Sequence, residues 1–274
     1  MGAARVPTLL LLLGEEERGA DVDETERASR AALAGAARAV LAPLRIATGR
    51  TPPAAGDVRH AAEVNPDLVL ADLRAVVFDV GETLVDESRA WSEQARTAGV
   101  TPFSLMAAIG SVISQGRDHR DAWSLLGVAP PGPAPDIGPG DLYPDALDCL
   151  RAARAAGLVV GVAGNQPRGA AAALRAAGVD VDFVAASATW GVAKPSLEFF
   201  RRVVAETQTD ARRVLYVGDR LDNDIRPASA AGLRTAWLRR GPWAYLQQPR
   251  ADDARPDLEL SDLTQLTDVL LRST

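Results

Sequence analysis

The chain has 274 residues, 47% of them hydrophobic, long for one domain, short for two large ones and enough to fill a sizeable core. Its formal net charge of −6 argues against nucleic acid or an acidic membrane surface as a partner, since both need a basic patch. A single cysteine, Cys149, excludes an internal disulfide and makes the cytoplasm the expected compartment.

Residues 1–72 differ from the rest, being rich in Ala, Arg and Glu. The apolar run at 9–13 is too short for a membrane span and short even for a signal-peptide core. Val6 stands where a myristoylation signal needs Ser or Thr. A helix is expected over 23–41, and the Pro- and Gly-containing stretch at 51–56 then breaks the pattern. The segment reads as an extension, partly helical and partly disordered, with His60 as a solvated surface residue.

The first core strand is expected over 74–79. Val76 and Val77 are β-branched in an unbroken apolar run, the pattern of a strand buried on both faces in a parallel sheet. Asp79 then lies at the strand's carboxyl end, the edge where open α/β sheets bind ligands. It reads as a nucleophile, a metal ligand, both, or a turn residue closing the strand. Helical patterns follow over 87–98, 102–114 and 120–126, closed by the Pro- and Gly-rich linker at 129–135. Residues 87–140 thus form a helical insert, a lid over Asp79 or a plain decoration.

The alternation then resumes. Helices are expected over 143–156, with Cys149 a buried structural thiol, and over 168–177, 196–206, 224–231 and 263–271. The first two stop at Gly157 and Gly178, and Ser261 or Asp262 caps the last. Strands are expected over 158–163, 181–185, 213–217 and 235–238, with 258–260 a small edge strand. This is an α/β fold: a doubly wound, mostly parallel sheet with a Rossmann-like core over 73–86 and 141–274, and a small inserted α-helical cap.

Polar groups stand after four of these strands: Asp79, Asn165, Lys194, and Asp219 with Asp224. The segments Phe78-Asp79-Val80-Gly81-Glu82-Thr83-Leu84, Val162-Ala163-Gly164-Asn165, Gly191-Val192-Ala193-Lys194-Pro195 and Val217-Gly218-Asp219-Arg220-Leu221-Asp222-Asn223-Asp224 resemble the motifs of the haloacid dehalogenase-like hydrolase superfamily. The subgroup is the one whose helical cap follows the first motif, and the resemblance covers about residues 74–272. It implies that Asp79 takes a phosphoryl group as an aspartyl-phosphate. It implies that Lys194 neutralises charge on Asp79 and a phosphate oxygen. It further implies that Asp79, the Gly81 carbonyl, Asp219 and Asp224 hold Mg²⁺. The substrate implied is a small phosphorylated metabolite. Asp222 is out of register and reads as a solvated loop residue.

Two positions depart from the family pattern. Gly81 stands where family phosphatases carry a second Asp as general acid and base, a loss worth roughly 10²- to 10⁴-fold in rate. A small rotation of the loop brings Glu82 into that role as the expected substitute. Gly164 replaces a phosphate-binding Ser or Thr, leaving the backbone N–H groups around Asn165 to hold a phosphate oxygen. Both glycines are also what a binding or regulatory module without turnover would show. A metal-independent dehalogenase is the other reading, and Asp219 with Asp224 argues against it. In the insert, Trp91, Arg117, His119, Arg120 and Trp123 are the candidates to contact substrate, with the two tryptophans read as cap core. Trp237 and Trp243 are read as packing. The sequence leaves the oligomeric state open.

Overall fold

The computed structural model describes residues 63–64, 70–249, 253 and 255–272. The helix expected over 23–41 and His60 lie outside the described residues.

Seven strands form one sheet: β1 (Glu63–Val64), β2 (Ala75–Phe78), β3 (Val159–Gly164), β4 (Phe183–Ala186), β5 (Val214–Gly218), β6 (Arg234–Leu238) and β7 (Leu258–Leu260), in the order β1-β7-β6-β5-β2-β3-β4. All neighbours pair in parallel except β1, which runs antiparallel to β7. β2 lies at the centre, and its four residues are wholly buried. Its side chains alternate, as the pleat requires. Val76 and Phe78 enter one apolar cluster with Cys149 and Leu150 of α4 (Ala146–Ala155) and Leu263 and Leu266 of α10 (Leu263–Leu271). Ala75 and Val77 enter another with Phe199, Phe200 and Val203 of α7 (Leu197–Thr207). An unbroken apolar run is therefore what this strand needs. Burial pushes the Cys149 thiol up to about 12, which keeps it protonated and inert.

From β2 the chain crosses to β3 on one side and later to β5 on the other, so the strand order reverses at β2. Open α/β sheets form their ligand crevice at such a reversal, beyond the strands' carboxyl ends. Phe78 is paired with both Val162 and Val217, which brings the exits of three strands level.

Between β2 and α4 the chain builds the insert: α1 (Ser88–Thr97), α2 (Pro102–Ser114) and α3 (Asp121–Leu125). Thr101 caps α2, its side chain accepting from the Ser104 N–H at 3.1 Å, and Pro102 occupies the first turn, where its missing N–H costs nothing. Leu105, Ile109, Val112, Ala122 and Trp123 form a separate apolar cluster, which Trp243 of α9 (Gly241–Leu246) enters from the core domain.

Three features differ from expectation. The short helices α6 (Ser187–Trp190) and α9 carry too few residues for a periodicity to show, and Gly241-Pro242 reads locally as a breaker. The segment 258–260 is no edge strand, because β1, two residues long and inside the expected extension, covers its outer side. The expected helix over 224–231 is split into a π-type turn at Leu221–Ile225 and α8 (Arg226–Ala230). No single helix among the described residues is long and apolar enough to cross a membrane.

Candidate active site

Asp79 leaves β2 with its N–H donating to the Val217 carbonyl at 2.9 Å, tying it to the neighbouring strand β5. Lys194 reaches the same place from the loop after α6. Its backbone is clamped by the Asn165 side chain: the Lys194 N–H donates to Asn165 Oδ1 at 2.8 Å and Asn165 Nδ2 donates to the Lys194 carbonyl at 3.0 Å. Lys194 Nζ then lies 2.7 Å from Asp79 Oδ1 and 2.6 Å from Asp224 Oδ1. Lys194 is the only lysine in the chain, among 30 basic residues.

Asp79, Asp219 and Asp224 are all buried, and a carboxylate oxygen from each lies within 4.8 Å of the other two. Three carboxyl groups thus share one ammonium where water screens little, so they cannot all ionise cheaply without a further cation. Burial opposes the charged form of Lys194, but Asp224 and Asp79 outweigh it and hold its pKa well above the ordinary lysine value. Burial, with Asp224 and Asp79 adding to it, pushes the Asp219 carboxyl well up. Asp219 Oδ2 is buried with no hydrogen-bond partner. Such an orphaned acceptor beside two like charges is what a hard cation would satisfy, and the all-oxygen donor set suits Mg²⁺.

The crevice above these residues is a cleft of about 180 Å³, shared between core and insert. Trp91 and His119 of the insert and Trp243 of α9 wall it, with the His119 ring edge-on to both indoles at centroid distances of 5.8 and 5.5 Å. Burial lowers the His119 pKa, so the ring is neutral. Arg220 stacks on Trp243 at 4.8 Å and forks onto Asp222, at 3.1 Å from Nε to Oδ1 and 2.9 Å from Nη2 to Oδ2.

Of the residues singled out in the sequence, Asp79, Gly81, Glu82, Asn165, Lys194 and Asp219 line the cleft, and Asp224 lies beneath it, wholly buried. Asp222 is exposed, as expected, though paired with Arg220. Gly164 abuts Asp79: a Cβ there would sit 2.5 Å from Asp79 Oδ1, so a side chain at this position requires the carboxylate to turn from its 2.7 Å contact with Lys194. Arg117 and Arg120 are exposed and paired with Asp121 and Asp118 instead of facing the cleft, and Trp123 is insert core. Trp91 and Trp243 are packing residues that also wall the cleft.

Glu82 does not have the freedom that an acid/base role asks of it. Its Oε2 accepts from the Tyr143 hydroxyl at 2.6 Å and its Oε1 from the Glu87 N–H at 3.1 Å. Its backbone is left-handed, with φ 51°, a conformation a non-glycine residue keeps only when its surroundings fix it. Swinging toward Asp79 would break both bonds. The place is also taken: a Cβ on Gly81 would lie 2.7 Å from the Glu87 carboxyl carbon. Glu87 lines the cleft and accepts from Trp91 Nε1 at 3.3 Å. Burial, then Glu82 and Asp79, push its carboxyl up to about 7. Glu87 was not singled out in the sequence, because it sits six residues beyond Gly81 in what reads as the first turn of a helix.

The haloacid dehalogenase-like hydrolase family model matches residues 73–232, more than half of the chain. The chain belongs to that family. Glyceraldehyde 3-phosphate phosphatase from Methanopyrus kandleri is 40% identical over 80 residues, covering 29% of this chain and 34% of that one. Phosphoserine phosphatase from Thermus thermophilus is 32% identical over 128 residues, covering 46% and 49%. The chain thus matches about a third to a half of the length of these curated relatives. A magnesium-bound haloacid dehalogenase-type hydrolase from Bacillus subtilis superposes with a TM-score of 0.56 at 20% identity, covering 72% of this chain and 98% of that one. The L-2-haloacid dehalogenase from Xanthobacter autotrophicus gives 0.54 at 20%, covering 73% and 98%. At that identity the likeness is one of fold.

Proposed function

We propose that this hydrolase is a Mg²⁺-dependent phosphatase of a small phosphorylated metabolite, working through an aspartyl-phosphate on Asp79. The observation that carries the reading is the buried cluster of three carboxylates around the single Lys194 ammonium, with Asp219 Oδ2 left unpartnered. Asp79, Asp219 and Asp224 would hold the cation, which when bound offsets the excess negative charge and draws in a phosphate dianion. Asp79 attacks phosphorus from a rigid strand end. Lys194, locked in place through Asn165, lies 2.7 Å from Asp79 Oδ1 and faces the incoming phosphoryl oxygens, so positioning and electrostatics supply the rate. The cleft of about 180 Å³ suits a small leaving group. The names of the curated relatives, glyceraldehyde 3-phosphate phosphatase and phosphoserine phosphatase, support this substrate class. Three carboxyl groups around one ammonium weigh against metal-independent dehalogenation, which leaves Asp219 Oδ2 without a partner.

A second reading, a slow or non-catalytic member that binds ligand, is favoured by Gly164, which offers no phosphate-binding hydroxyl and stands where a Cβ would crowd Asp79 Oδ1. One experiment separates the two. The purified chain and Asp79→Asn are assayed on 4-nitrophenyl phosphate and a panel of sugar and nucleotide phosphates, with and without Mg²⁺. Mg²⁺-dependent turnover that Asp79→Asn abolishes is the expected result. Silence on every ester, with Mg²⁺ still raising the melting temperature of the wild-type chain and not of Asp219→Asn, would establish the second reading instead.

A further inference from the structure

An alkyl phosphate is a poor substrate for any carboxylate nucleophile unless its leaving oxygen is protonated as the P–O bond breaks, because an alkoxide is too basic to depart alone. The group that does this must line the same cleft as Asp79 and be held in one direction. Among the described residues that line the cleft, Asp79 and Asp219 belong to the cluster around Lys194, and Glu82 has both oxygens committed. His119 is wedged between two indoles, with Nδ1 3.5 Å from Asp118. Glu87 remains.

We propose that Glu87 is the catalytic acid and base of this site, an inference that rests on the phosphatase reading above. Three observations point to it. Its carboxyl group fills the volume beside Gly81, where a Cβ would stand 2.7 Å from Glu87 Cδ and 2.7 Å from Oε1. No ion pair of Glu87 to a lysine or arginine is seen among the described residues. Its Oε2 takes the Trp91 Nε1 hydrogen at 3.3 Å, one helical turn on, which fixes the direction of the carboxyl group and leaves Oε1 unengaged by that bond. The step balances as follows. An oxygen of Asp79 bonds to phosphorus and the P–O bond to the leaving group breaks. The leaving oxygen takes the proton from the Glu87 carboxyl and departs as an alcohol. The Glu87 carboxylate then removes a proton from a water molecule as its oxygen attacks phosphorus. Asp79 is released, inorganic phosphate leaves and Glu87 is protonated again. Because Glu87 opens the insert's first helix, the acid is carried by the insert and the nucleophile by the sheet.

The test uses leaving groups of different basicity with the full chain in Mg²⁺. In single-turnover experiments, Glu87→Gln is expected to slow release of benzyl alcohol from benzyl phosphate by 10²- to 10⁴-fold. Release of 4-nitrophenol from 4-nitrophenyl phosphate needs no proton and should slow less than tenfold. The phosphoenzyme should persist after the burst with 4-nitrophenyl phosphate, because no base activates water. Gly81→Asp combined with Glu87→Ala returns a carboxylate to the vacated volume and should recover at least tenfold of the benzyl phosphate rate lost in Glu87→Ala. Equal losses on both esters, or none, overturn the assignment, while Asp79→Asn, dead on both, leaves the phosphatase reading standing. A wild-type chain inert toward every ester overturns the reading and the assignment with it.

Discussion

The floor and the wall of the cleft are built on opposite terms. The floor is charge: Asp79 and Asp219 at the ends of β2 and β5, whose own residues are buried, joined by Lys194 from the loop after α6 and Asp224 from the turn at Leu221–Ile225. The wall is aromatic: Trp91 and Trp243 on helices from two distant parts of the chain, with His119, from the turn between α2 and α3, edge-on to both. A site that stabilises developing charge must be preorganised, whereas a site that selects among small leaving groups needs shape. The floor therefore tolerates almost no substitution, and the wall is where related sequences can differ.

The largest effect should come from Lys194→Ala. It strands Asp79 and Asp224 as unpaired buried charges, so about 3–5 kcal/mol of stability should go, together with turnover. Urea denaturation in metal-free buffer reads the first and ester hydrolysis the second. Lys194→Arg should restore neither. The ammonium is a compact point charge between two carboxylates at 2.6 and 2.7 Å, and a planar guanidinium cannot take that place. Recovery in the Arg variant would show that the floor asks only for a positive charge.

Trp243→Ala tests the wall. Trp243 is 5% exposed and packs into the insert's own cluster although it belongs to a helix of the core. Its loss should cost about 3 kcal/mol, the low end for a buried tryptophan, since the ring also faces the cleft. Hydrogen exchange should quicken in α2 and α3 and stay slow in β2 and β5. Uniform acceleration would mean that floor and wall unfold as one unit.

The same contrast explains what could be read from the sequence. The floor was legible because Asp79 and Asp219 follow apolar runs, strand ends at one rim of a parallel sheet must converge, and the family motifs carry Lys194 and Asp224 with them. Lys194 could have been read with more force than its position gives it, since a chain that otherwise uses only arginine keeps one lysine there. The wall was legible only in part. Trp91 and His119 stand among the insert's candidate substrate contacts with nothing local to separate them from Arg117, Arg120 and Trp123, and Trp243 comes from a helix of six residues opening on Gly241-Pro242, too short to show a period. Glu82 looked available because its neighbour Gly81 is flexible. Its two hydrogen bonds come from Tyr143, far along the chain, and from the Glu87 backbone, and neither shows in a local pattern.

Glu87 stands where floor meets wall, and pH separates its contribution. Its folded pKa lies at about 7 against an ordinary 4.5, burial being the main cause. Between those values the folded chain holds a proton that the unfolded chain has lost, so stability falls as pH rises from about 4.5 to 7 and the cost is complete above 7. Glu87→Gln removes that penalty. In chelator-containing buffer it should be more stable than the wild type at pH 8 by on the order of 2–3 kcal/mol, and the difference should vanish near pH 4.5. A gap that does not change with pH would mean that the carboxyl is solvated in the folded chain.

The smallest effect, Thr101→Ala, is the sharpest on where the wall ends. Thr101 is exposed, and its hydroxyl meets Ser104 twice, accepting the Ser104 N–H at the start of α2 and lying 2.8 Å from Ser104 Oγ. Removing that acceptor leaves an N–H of the first turn without its cap and should cost about 1 kcal/mol. Because α2 carries Leu105, Ile109 and Val112 into the insert's cluster, the loss should appear as about fivefold faster exchange along α2. The floor shares no side chain with that helix, so Mg²⁺ should raise the melting temperature by the same amount in variant and wild type. A change in the Mg²⁺ response would mean that the insert's stability is transmitted to the carboxylates beneath it, and that the two halves of the cleft are a single cooperative unit.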